Sequence, residues 1–305
     1  MTDEQAFAQL VDAHQRELFV HCYRMLGSVQ DAEDALQDAM LRAWRGLQGF
    51  GGRSSVRAWL YKIATNASLR AIERRPQRTL PVDHGPPAGR DDDIDPPLAE
   101  TVWIEPLPTP EDVFEQREDV ELAFIAALQL LPPLQRAVLI LRDVLGFSAA
   151  ETADALDTTA AAVNSALQRA HKTVDAHVPE RSQQATLRAL GDADLRAIVD
   201  GYTAAWERND IAALTALLTA DATFSMPPHP TWYRGPDAIA AFLARRPLAP
   251  GRTWATKHIS ANGQLAFAHA NPDGTPHSIC VVTLREDRIA AIDAFLHPRR
   301  RQAMS

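Results

Sequence analysis

FSAAETADALDTTAAAVNSALQRAHK, residues 147–172, reads as two helices joined by a turn. Ser148 followed by Glu151 is a capping-box pattern, in which each side chain reaches a backbone N–H at the start of a helix. That short helix ends near Leu156, after which Asp157, Thr158 and Thr159 supply a turn and the next N-cap. Val163, Ala166, Leu167, Ala170 and Val174 then recur at helical spacing and predict a buried stripe. Thr159, Ala161, Asn164, Ser165, Gln168, Arg169 and Lys172 are left facing outward. A helix-turn-helix presents such a second helix to the major groove, where Asn and Gln suit adenine, Arg suits guanine and Lys holds phosphate. A plain helical hairpin in a bundle shows the same periodicity, so this stretch alone leaves both readings open.

Outward from it, the chain has 305 residues, 46% hydrophobic and 23% charged, enough for two or three packed domains. The most apolar segment, AFIAALQLLPPLQRAVLIL, is broken by Pro132, Pro133 and Arg136, and the N-terminus lacks the basic and apolar regions of a signal peptide. A cytoplasmic location with no membrane partner is expected. Cys22 and Cys280 stand far apart and are expected to be buried, reduced thiols. The net charge of -8, from 31 Lys+Arg against 39 Asp+Glu, argues against coating nucleic acid by charge alone. A chain of this charge that reads DNA needs a partner.

Nine of the 21 prolines fall between Pro76 and Pro110, with Asp91, Asp92, Asp93 and Asp95 among them, and no apolar period survives there. Residues 76–110 are expected to be an acidic linker. It separates a helical segment, 1–75, from a second, 111–178; a short polar stretch, 179–191, leads into a third region, 192–305. In the first segment DAEDALQDAMLRAWR places Ala32, Ala35, Leu36, Ala39, Met40, Ala43 and Trp44 on one stripe, predicted to be core, with Asp31, Asp34 and Asp38 on the opposite face. VRAWLYKIATNASLRAIERR follows, a helix that interleaves Trp59 and Tyr61 with Arg57, Lys62, Asn66 and Arg70. Aromatic side chains among cations are how proteins stack and clamp unpaired bases, although core aromatics give the same pattern.

DAEDALQDAMLRAWRGLQGF with SSVRAWLYKIATNASLRAIERR resembles region 2 of an extracytoplasmic-function sigma-70 factor of RNA polymerase, and LPPLQRAVLILRDVLGFSAAETADALDTTAAAVNSALQRAH resembles its region 4. The resemblance implies two all-α modules, a region 2 helical bundle and a region 4 helix-turn-helix. It implies core RNA polymerase as partner, with Asp31, Glu33, Asp34 and Asp38 docking on the β′ clamp coiled coil and the second module near the β flap. Promoter DNA is the other partner. Flipped bases of the melted -10 element would be captured by Arg53, Ser54, Ser55, Arg57, Trp59, Lys62 and Asn66, while the helix from Thr159 to Lys172 would read the -35 element. The acidic linker would pass through the polymerase's nucleic-acid channel. No cofactor, metal or catalysis is called for.

Residues 192–305 depart from that pattern. Leu195, Ile198, Val199, Tyr202 and Trp206 form one helical stripe; Ile211, Leu214, Leu217 and Leu218 form another; WYRGPDAIAAFLARR predicts a third helix. RTWATKHISA, QLAFAHA, HSICVVTL and RIAAIDAFL then read as strands of an antiparallel meander. This α+β unit resembles a SnoaL-like domain, the cone-shaped nuclear-transport-factor-2-like fold. Such cones hold a cavity, which Trp206, His229, Trp232, His258, His269 and Asp293 could line here. The resemblance implies a regulator in cis, acting through contacts of this domain with the sigma domains; the alternative is an isomerase or hydrolase fused to helical DNA-binding modules.

Overall fold

The computed structural model describes residues 13–47, 50, 55–98, 102–109 and 120–297, in two compact units. The first takes residues 1–78 and 123–179, the second 79–122 and 180–305.

The first unit opens with helices α1 (Gln15–Leu26), α2 (Val29–Gly46) and α3 (Val56–Ile72), which pack pairwise. Gly27, at φ +66°, ends α1, and the Ser28 hydroxyl accepts the Asp31 N–H to start α2. Leu18, Cys22, Tyr23 and Met25 meet Ala32, Ala35, Leu36, Ala39 and Ala43 of α2 and Leu60, Tyr61 and Ala64 of α3. The stripe is narrower than periodicity predicted. Alanines let the helices approach closely, which leaves Met40 half-buried and Trp44 43% exposed on the flank. A second correction concerns Asp31, which lies not on the solvated face but 4% exposed, bonded to Arg78 at 2.6 Å and paired with Arg75.

Four further helices complete this unit: α4 (Leu122–Leu130), α5 (Pro133–Leu139, running into a π turn at Ile140–Val144), α6 (Ala149–Ala155) and α7 (Ala160–Asp175). The Ser148–Glu151 capping box forms in both directions, and the Thr159 hydroxyl caps α7 through the Ala162 N–H. Val138, Ala153, Val163 and Ala166 make the small core under α6 and α7. The buried Arg136 guanidinium donates to the Met25 carbonyl at 2.5 Å and to Gln129 and Leu131, joining α5 to the end of α1.

In the second unit α8 (Gln183–Ala189), α9 (Asp192–Glu207), α10 (Ile211–Ala216) and α11 (Pro236–Arg245) accompany one seven-stranded sheet. Its strands are β1 (Pro108–Thr109), β2 (Leu218–Ser225), β3 (Trp232–Arg234), β4 (Ala255–Ala261), β5 (Gln264–Ala270), β6 (Pro276–Arg285) and β7 (Arg288–Leu296), in the order β1-β4-β5-β6-β7-β2-β3. Neighbours are antiparallel except β2 and β7. The meander β4 to β7 falls where alternation placed it. Leu218, expected in a helix, instead begins β2. One sheet face holds the core: Ile198, Tyr202 and Trp206 of α9 with Ile239 and Phe242 of α11 pack on Phe224, Phe267, Cys280, Val282 and Ile292.

Of the expected acidic linker, the described residues 79–98 and 102–109 belong to the second unit. Leu80 is 7%, Trp103 2% and Ile104 0% exposed, and residues 108 and 109 add β1 to the edge of the sheet. The segment is held by bonds from irregular backbone: Ala88 N–H to the Trp232 carbonyl at 2.8 Å, Trp232 Nε1 to Gly85 at 2.7 Å, Trp103 Nε1 to Pro228 at 2.9 Å, and Asn262 Oδ1 accepting the Leu107 N–H at 2.8 Å. Proline-rich chain forms no long ladder of its own: besides local bonds such as Thr79 N–H to the Val102 carbonyl at 2.8 Å, it is tied down by groups of the sheet.

Candidate nucleic-acid and polymerase interfaces

Three surfaces carry the side chains singled out by sequence. On α7 the division is clean: Val163, Ala166, Ala170 and Val174 are buried, while Thr159, Ala161, Asn164, Ser165, Gln168, Arg169 and Lys172 are exposed. A helix seated by four apolar residues, with amide and cationic side chains along its free face, meets the geometric demand of major-groove reading.

The second surface is a cleft of about 950 Å³ beside α3, lined by Arg42, Phe50, Trp59, Lys62, Asn66 and Arg70 on one wall and by Phe147, Ala150, Glu151 and Asp154 on the other. Of the residues proposed to take -10 bases, Arg53 and Ser54 lie outside the described residues. Ser55 spends its hydroxyl as the N-cap of α3, accepting the Ala58 N–H. Trp59 rests against Phe50, ring centroids 4.8 Å apart. The Arg57 guanidinium stands 4.9 Å from the Tyr61 ring and 5.1 Å from the Phe147 ring, with Glu17 at 3.5 Å. Partial burial works to raise the Glu17 pKa, but hydrogen bonds from His14 and Tyr61 and the charge of Arg57 hold it below the usual value. Lys62 donates to the Asp154 carbonyl at 2.5 Å and to the Asp157 carboxylate at 3.1 Å.

The third surface is the outer face of α2. Glu33 and Asp34 are exposed; Asp38 accepts from Arg42 at 2.8 Å and faces Arg70 at 3.6 Å, and the hydrogen bond from Arg42 is the main cause of its depressed pKa. Leu41, 51% exposed, and Trp44 share this helix, an apolar pair that sequence reading had missed or assigned to the core. Their signal was available in principle, since both fall just outside the alanine stripe.

The six residues expected to line one cavity of the sheet unit separate. Trp206 and His269 lie in the core, rings 4.2 Å apart, and burial lowers the His269 pKa to about 3, leaving the ring neutral. His258 is exposed. His229, Trp232 and Asp293 lie outside the core cluster; the first two bond the segment before β1, His229 Nδ1 meeting the Asp95 carbonyl and Trp232 Nε1 the Gly85 carbonyl, both at 2.7 Å. Asp293 accepts from Ser225 Oγ at 2.6 Å, and its burial, with the charge of Asp83, pushes its pKa up to about 6. Strand alternation separates them: Ile292 and Ala294 face the core, so Asp293 between them faces away.

Comparison with known proteins fits this arrangement. The chain matches sigma-70 region 2 over residues 10–78, sigma-70 region 4 over 121–174 and the SnoaL-like domain over 199–300. It is 41% identical over 302 residues to the ECF RNA polymerase sigma factor SigG of Mycobacterium tuberculosis, covering 95% of this chain and 81% of that one. With SigJ of the same organism it shares 28% over 309 residues, 94% and 90% of the two chains. The crystal structure of Mycobacterium tuberculosis SigJ superposes with a TM-score of 0.64 at 24% identity, covering 96% of this chain and 97% of that one, so the fold is shared end to end. Two helical sigma modules and a SnoaL-like α+β unit thus define the class. The chain belongs to the ECF RNA polymerase sigma factors.

Proposed function

We propose that this chain recruits core RNA polymerase and directs it to promoters, reading the -35 element with α7 and taking unpaired -10 bases along α3. The observation that carries this reading is the two-sided division of α7, beside a separate aromatic and cationic cleft. The outer face of α2, with Glu33, Asp34 and Asp38 beside Leu41 and Trp44, offers the mixed apolar and acidic surface that a basic coiled coil such as the β′ clamp would cover, and the region 4 module would lie near the β flap. Asp31 supports that face from within through Arg75 and Arg78.

The SnoaL-like unit would regulate in cis. Residues 79–109 lie on its sheet, with the Asp93 carboxylate paired to Arg246 and the Asp95 carboxylate bonded to Thr231. A segment so held is not available to the polymerase channel, and engagement would require its release. Run-off transcription with purified core polymerase on a genomic promoter library tests the reading, comparing the full chain with one ending at residue 180. Promoter-dependent transcripts from both, altered in amount or start site by truncation, are expected; silence from both with no core binding would overturn it.

A further inference from the structure

We propose that the turn of the helix-turn-helix is an internal competitor for the -10 strand: Asp154 and Asp157 hold Lys62 in the place of a DNA phosphate, and promoter binding must displace them. This rests on the -10 reading of the cleft beside α3. The Lys62 ammonium sits against two carboxylates and a carbonyl, with Asp157 Oδ1 at 3.1 Å, Asp154 Oδ2 at 3.7 Å and the Asp154 carbonyl at 2.5 Å. Asp157 adopts φ +49°, a left-handed conformation that Asp and Asn tolerate better than most residues, and this turn presents its carboxylate to Lys62. Next along the cleft Phe147 packs edge-on against Tyr61 at 5.6 Å and against the Arg57 guanidinium, which is also engaged by Glu17. Lys62 and Arg57, the described cations of the -10 set, are therefore matched with acid groups, and part of the wall opposite Trp59 and Asn66 belongs to α6. The seam is built to part. Asp157 is 80% exposed and Lys62 31%, so their attraction is screened, and a polyanion can outcompete it.

Lysine reactivity reads this contact directly, because the chain has only three lysines, Lys62, Lys172 and Lys257. The full chain without polymerase is treated briefly with an acetylating N-hydroxysuccinimide ester and each lysine is followed by mass spectrometry, with Lys172 as exposed reference. Lys62 should react about fivefold more slowly than Lys172, and Asp154→Asn with Asp157→Asn should bring the two rates together. The same double variant should bind a short fluorescein-labelled single-stranded oligonucleotide about three- to tenfold more tightly, corresponding to about one pair of released ionic contacts. Asp192→Asn with Asp200→Asn, which removes equal charge from exposed positions of the second unit, should change neither. Wild-type Lys62 reacting as fast as Lys172, or an equal gain in affinity from the control, would overturn the competitor. If Lys62 is released and neither form binds the oligonucleotide, the proposal falls together with the -10 reading of the cleft. If Lys62→Ala abolishes binding while the double variant binds as wild type does, that reading stands and the competitor alone is overturned.

Discussion

Asp31 and Arg78 are both nearly shielded from water and bonded to each other at 2.6 Å, with Arg75 also paired to Asp31. Replacing Asp31 with Ala removes the carboxylate that Arg75 and Arg78 share in a buried site, and chemical denaturation should show a loss of about 3 kcal/mol, the range for breaking a buried ion pair from one side. The effect on core binding should follow from the weakened α2 rather than from a lost contact, so Asp34→Asn, on the exposed face, should lower core affinity with little change in stability. On α7 two exposed side chains separate specificity from attraction. Gln168→Ala should relax preference at one -35 base pair by about 1–3 kcal/mol, whereas Lys172→Ala should weaken binding to all sequences and lower the salt slope by about one, both measured on the assembled holoenzyme. If promoter choice survives Gln168→Ala, α7 is not read in this register. These residues were legible in sequence because an exposed position on an amphipathic helix follows from spacing alone. Asp31 was not, since nothing local announces that Arg75 and Arg78, more than forty residues onward, fold back over it.

Helix boundaries and caps followed sequence closely wherever a local signal specified them: the Ser148–Glu151 box, the Thr159 cap and the four meander strands all depend on neighbours within a few residues. The segments 79–98 and 102–109 draw partners from 125 to 155 positions away, as in the bonds from Trp103 to Pro228 and from Leu107 to Asn262, and carry no period that could have shown it. Trp103 is the anchor of this element. Its replacement by Ala should cost the second unit about 3–5 kcal/mol by calorimetry, the usual range for emptying a buried aromatic site. Proteolysis should then cut the 79–109 segment in the folded protein, as a released strap would be cut and a rigidly held one would not. On α2, Trp44→Ala should leave the melting temperature within the range of surface substitutions while lowering affinity for core polymerase by about 2 kcal/mol, the behaviour of an exposed aromatic anchor at an interface.

Across the whole molecule the buried ionisable groups predict different acid responses for the two units. His21 in the first unit has its pKa lowered to about 3, chiefly by burial, so the unfolded chain takes up a proton near pH 6.5 that the folded unit refuses. Its contribution to stability is present above pH 6.5 and is lost as pH falls from there toward 3, at up to about 1.4 kcal/mol per pH unit. His269 does the same in the second unit. There Asp293 acts in the opposite sense: with a folded pKa raised to about 6, the folded unit binds a proton before the unfolded chain does, and stability rises as pH falls from about 6 to 4. The two slopes offset in the second unit and not in the first. Scanning calorimetry between pH 7 and 4.5 should show the first unit's transition falling further, and Asp293→Asn should raise the second unit's stability at pH 7 more than at pH 4.5. Periodicity and capping among near neighbours were enough to give the helical and strand segments, their order and the outward faces of α7 and most of α2. Packing had to reveal that the proline-rich segment belongs to the sheet unit, that Asp31 is interior, and that His229, Trp232 and Asp293 lie apart from Trp206 and His269. Those outcomes depend on which face of a strand meets the core and on polar groups finding partners far along the chain, and neither is written in local spacing.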